Sequence, residues 1–61
     1  MLHYELILVS NNKIIGQCKQ KNDICDVYIS YDEFHYIGTM SANQLNNILN
    51  DYKHMIYVEY L

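Results

Sequence analysis

The chain has 61 residues, a formal net charge of −3 at pH 7 and an apolar fraction of 51%. That length makes one domain at most, residues 1–61, and the apolar content excludes a disordered chain. The longest apolar run, Leu6-Ile7-Leu8-Val9, falls far short of the roughly 18 residues of a membrane span.

Leu2 to Val9 reads as the first strand, with Leu2, Tyr4, Leu6 and Leu8 on one face and His3, Glu5, Ile7 and Val9 on the other. Both faces become apolar toward its end, which predicts a central strand covered on both sides. Ser10-Asn11-Asn12-Lys13 is a turn, because asparagine tolerates the positive φ of tight hairpins. Lys13 to Gln20 is the second strand, Lys21-Asn22-Asp23 a turn, and Ile24 to Tyr31 the third strand. A turn centred on Lys21-Asn22 sets Cys18 against Cys25, Gly16 against Val27 and Ile14 against Ile29 on the core face. The same register sets Lys19 against Ile24, Gln17 against Asp26 and Ile15 against Tyr28 on the other face.

Asp32-Glu33 is either a hairpin turn before a fourth strand, Phe34 to Thr39, or a kink in one long strand. Asp-Glu makes a poor hairpin turn, because neither residue favours positive φ. Ser41 with Gln44 three residues later is a capping-box pattern. Leu45, Ile48, Leu49 and Tyr52 then follow helical spacing, which predicts an amphipathic helix over about 41–54. Lys53 and His54 suit its negative C-terminal end. Ile56 to Leu61 is a last strand, with Ile56, Val58 and Tyr60 on one face. The fold class is α+β: an antiparallel sheet of four or five strands, one helix packed on one face, and a C-terminal strand that is an open edge.

The side chains with chemical potential are dispersed. Cys18 and Cys25 have six residues between them, not the two of a zinc knuckle or redox dithiol, and read as packed thiols. One disulfide is the alternative. His3, His35 and His54 share no ligand spacing. No nucleophile elbow or glycine-rich phosphate loop occurs. The expectation is therefore no catalytic, cofactor or metal site and no enzyme.

What remains is surface. One helix covers one face of a sheet, so the other face is expected to show Ile15, Tyr28 and Tyr57 or Tyr60, and monomers seldom leave such patches bare. Tyrosine offers broad contact area at low rotamer cost. Tyr28, Tyr57 and Tyr60, with the carboxylates Asp26, Asp32 and Glu33, are the candidate protein-binding residues. Aromatics on a sheet also stack nucleic-acid bases, but four lysines, no arginine and a pI near 5.3 argue against a phosphate-tracking groove. Neither a nucleic-acid nor a membrane partner is expected.

A chain of this size buries only about 60% of its unfolded surface, so a second subunit, joined through sheet edge or sheet face, is the expected extra support. Ile, Asn, Tyr and Lys, which have A/T-rich codons, are abundant, while Gly16, Gly38 and Ala42 are the only Gly, Ala, Arg or Pro residues. This bias suits a low-GC bacterium or its phages and plasmids, and a short gene beginning at Met1 suits a mobile element. In size and in tyrosine-rich, acidic character the chain is similar to phage-encoded inhibitors of host defence or DNA-repair enzymes. The functional expectation is a small cytoplasmic protein that inhibits a host defence or DNA-processing protein by occlusion. An acidic nucleic-acid mimic and a purely structural homodimeric subunit are the alternatives.

Overall fold

Three residues in the left-handed region of φ set the sheet: Asn12 at 58°, Asn22 at 56° and Asp32 at 55°. That conformation costs most L-residues about 1–2 kcal/mol; Asn and Asp adopt it more readily because their short polar side chains bond locally. In the computed structural model, which describes residues 1–61, each of them lies in a turn between consecutive strands. The elements are β1 (Leu2–Leu8), β2 (Ile14–Lys21), β3 (Ile24–Tyr31), β4 (Phe34–Ser41), α1 (Ala42–Asp51) and β5 (Ile56–Tyr60). All neighbouring strands are antiparallel, in the order β4-β3-β2-β1-β5. The α+β architecture expected from the sequence is thus present, with five strands, and β1 is interior to the sheet.

The β2–β3 register differs from the sequence expectation. Lys21 faces Ile24, so the turn is Asn22-Asp23, not Lys21-Asn22. The cause is local: the first turn position has positive φ, which asparagine adopts more readily than lysine. Cys18 consequently opposes Val27, and Cys25 opposes Gln20. The shift moves each pairing by two residues, so Cys18, Cys25 and Val27 still share the core face. The two cysteines become diagonal neighbours, and both are buried free thiols.

A second difference arises in β2. Leu6 faces Gly16 while Ile7 faces Ile14, so Ile15 is the extra residue of a β-bulge. The bulge reverses the expected assignment: Ile15 is buried in the core cluster, whereas Ile14 is exposed. Gly16 permits it. A Cβ at position 16 would stand 2.6 Å from the Tyr28 carbonyl oxygen and 3.2 Å from a Leu6 methyl.

Asp32-Glu33 forms a true two-residue hairpin turn, closed by Tyr31 and Phe34. The objection that neither residue favours positive φ is met by Asp32, which takes the left-handed conformation. β4 then runs two residues beyond the expected end, to Ser41.

Ser41 is the N-cap of α1, its Oγ accepting from Gln44 N at 3.1 Å. The helix stops at Asp51 with Tyr52 as C-cap, shorter than the expected 41–54, so Lys53 and His54 lie beyond its last turn. Leu45 is fully buried against Tyr4, Leu6, Leu8, Ile15, Cys18, Cys25 and Val27, with Leu49, Ile56 and Val58 packed around them. The Tyr4 hydroxyl lies within this core, donating to Gln20 Oε1 at 3.4 Å and 3.8 Å from Cys25 Sγ.

Two consequences are measurable. Gly16→Ala forces its new methyl onto backbone, and should cost about 1–3 kcal/mol in urea unfolding. Burial pushes the Cys18 thiol up to about 11 from the ordinary 9.0, and raises the Tyr4 phenol in the same way. The unfolded chain releases these protons at lower pH, so their contribution is intact below about pH 9. It is lost as pH rises through about 11 and beyond. Urea midpoints should hold steady up to about pH 9 and fall above it, less steeply in Cys18→Ala.

Candidate functional site

The helix packs on the side that carries Cys18, Cys25 and Val27, against β3 and β4. No element covers the opposite side. Alternation places Glu5 and Ile7 of β1, Gln17 and Lys19 of β2, and Asp26, Tyr28 and Ser30 of β3 on this open face, with His35, Ile37 and Thr39 of β4 and Tyr57 and Glu59 of β5. Ile14 joins them through the bulge, as the partner of Ile7.

The apolar part of the face centres on one cross-strand pair. Tyr28 of β3 stands directly opposite Ile37 of β4, and they are 50% and 79% exposed. Tyr28 is a ridge between two open depressions of about 440 Å³ each. One is lined by Gln17, Lys19, Asp26, Ile37 and Thr39, the other by Lys13, Ile14, Gln17 and Ser30. Ile14 is also half-exposed, whereas Ile7, between Ile14 and Tyr57 in the ladder, is buried. Polar groups frame this centre: Lys19 faces Asp26, Ser30 Oγ lies 3.1 Å from His35 Nδ1, and Glu5 faces Glu59.

The candidate residues divide in three. Tyr28, Asp26 and Tyr57 share the open face. Tyr57 is partly committed to structure, its hydroxyl donating to Asn12 Oδ1 at 3.0 Å and tying β5 to the β1–β2 turn. Tyr60 lies on the other side of the sheet, with Ile56 and Val58, its ring 5.2 Å from that of Tyr4. The expected alternative of Tyr60 on the uncovered face is therefore corrected, because it has the same strand parity as the core residues of β5. Asp32 and Glu33 sit at the tip of the β3–β4 hairpin, off the open face. Ile15, expected beside Tyr28, is in the core.

Ile37 and Ile14 are the surface residues that sequence reasoning missed. The Ile37 position follows once Asp32-Glu33 is a two-residue turn, since the hairpin register then pairs it with Tyr28. Ile14 follows only from the bulge. No group of three or more His, Cys, Asp or Glu is placed to hold a metal ion, and no helix is long and apolar enough to cross a membrane. The His3 Nε2 atom is buried without a hydrogen-bond partner.

Compared with known proteins, the chain matches no family model, no curated protein and no solved structure.

The role of Asp32 as a turn residue separates from any role in contact. Asp32→Asn should leave stability within about 0.5 kcal/mol, because asparagine also accepts positive φ. Asp32→Val should cost about 1–2 kcal/mol in chemical unfolding, since a β-branched side chain is strained there.

Proposed function

We propose that this protein is a small binding protein that inhibits a host protein by occlusion, using the open sheet face around Tyr28 and Ile37. The observation that carries the reading is that pair. Two large apolar side chains stand side by side on the sheet, half or more exposed, with no layer over them. An apolar centre with a polar rim of Lys19, Asp26 and Gln17 has the anatomy of a protein–protein contact. A tyrosine ridge between two depressions suits a partner surface with two projecting side chains. Exposed tyrosine and isoleucine contribute through desolvation, which needs no reacting group.

The proposed setting is a bacterial cytoplasm, with the gene carried by a phage or another mobile element and the target a defence or DNA-processing protein of the host. The codon-driven composition supports a low-GC host. The carboxylates do not gather into one phosphate-like row. Asp26, Glu5 and Glu59 lie on the open face, Asp32 and Glu33 at a hairpin tip, and Asp51 at the helix end. The apolar pair is therefore preferred over acidic mimicry of nucleic acid as the contact.

The test is capture of partners from a low-GC bacterial lysate by the wild type and by Tyr28→Ala, with proteins identified by mass spectrometry and affinity then measured on the purified partner. Tyr28→Ala should bind about 30-fold more weakly, corresponding to about 2 kcal/mol for loss of a central aromatic anchor. Binding should change little between low and high salt. A steep loss of affinity with salt would favour nucleic-acid mimicry instead.

A further inference from the structure

The sheet has two free edges, β4 and β5, and they differ in character. Natural edge strands are guarded against pairing by lysine, proline, inward charge, a bulge or shortness. β5 is five residues long and carries Glu59, which faces Glu5 on the open side. β4 has eight residues, Phe-His-Tyr-Ile-Gly-Thr-Met-Ser, with no Lys, Asp, Glu or Pro, and its pairing with β3 is regular throughout.

The direction of its unpaired backbone groups follows from the hairpin. A two-residue turn is closed by a hydrogen-bonded pair, here Tyr31 and Phe34, and bonded and non-bonded pairs alternate along the ladder. The N–H and C=O groups of His35, Ile37 and Thr39 therefore point away from β3, out of the edge. The Thr39 carbonyl accepts from the Tyr36 hydroxyl at 3.5 Å and keeps a second lone pair.

We propose that the β4 edge pairs antiparallel with β4 of a second copy of this chain, about a two-fold axis at Ile37. This goes beyond the reading of the open face as a binding surface and does not depend on it. The register is self-complementary. Ile37 meets Ile37, and His35 of each copy meets Thr39 of the other, so the outward-pointing groups of these three residues find partners. Phe34, which is largely exposed, meets Met40 of the other copy on the helix side, an apolar thioether–aromatic contact. No like charges oppose each other in this seam. The same operation on β5 gathers the Glu5–Glu59 pairs of both copies at one seam, where like charges repel. The β4 pairing joins two five-stranded sheets edge to edge, and the Tyr28–Ile37 patches of the two copies become one continuous patch across the axis.

The experiment is sedimentation equilibrium of the full chain at micromolar concentration, with amide hydrogen exchange on the same sample. The mass should be twice 7.3 kDa, and the amides of His35, Ile37 and Thr39 should be protected. The amides of Val58 and Tyr60 should exchange freely, since Leu61 N donates inward to His3 O and ladder alternation turns those two outward. Ile37→Lys places a charge on the two-fold axis at an exposed site and should yield a folded monomer. Thr39→Pro removes an outward N–H without adding charge and should weaken the dimer at least tenfold. A wild-type monomer, a dimer that survives Ile37→Lys, or protection of Val58 and Tyr60 in place of the β4 amides would overturn the proposal.

Discussion

A helix of ten residues is about 15 Å long, and five strands spaced about 4.8 Å apart make a sheet roughly 19 Å across. That mismatch governs the molecule. One helix can cover the middle of one side of this sheet and none of the other. The chain enters α1 from β4 at one edge and returns as β5 at the other, so the helix must cross the sheet to connect them. Leu45 therefore sits over the middle of the core, while Tyr31 and Phe34 at one end and Tyr60 at the other edge stay exposed on the helix side. On the reverse side every outward side chain meets solvent or a neighbouring strand. The Tyr28–Ile37 pair is exposed because it lies on the side opposite the one helix.

The bulge at Ile15 couples the two sides. Without it, strict alternation would put Ile14 in the core and Ile15 outside. With it, Ile15 adds a β-branched side chain to the core and Ile14 is delivered to the open face. Gly16 makes the arrangement sterically possible, because the Tyr28 carbonyl occupies the space a side chain would need. One residue without a Cβ thus affects core volume and surface composition together, and does so beside the tyrosine on which the proposed function rests.

The core buries two thiols and a phenol. Cys18 and Cys25 are buried completely, and desolvation holds the Cys18 thiol protonated well above neutral pH. The Tyr4 hydroxyl is satisfied by Gln20 and lies beside Cys25. These groups fill space between helix and sheet. The groups exposed on the open face are instead the Tyr28–Ile37 pair and the polar side chains around it.

Much of this was legible in the chain. The period-two strands, the Ser41 cap, the helical spacing of Leu45, Ile48 and Leu49, and the two asparagine turns are local features, decided by a few adjacent residues whose φ preferences and hydropathy settle the matter. So was the existence of an uncovered face, because one helix was visible and one helix is insufficient. The sequence alone did not determine the exact β2–β3 register, the side on which Ile14 and Ile15 fall, the hairpin at Asp32, or the separation of Tyr57 from Tyr60. Each depends on cross-strand geometry. A two-residue turn that slides one position along the chain moves every pairing of the ladder by two, and a bulge shows itself only when a neighbouring strand is in place to count against. Tertiary structure decided those points because strand pairing joins residues far apart in the chain, and local propensity carries no information about which residue will stand opposite.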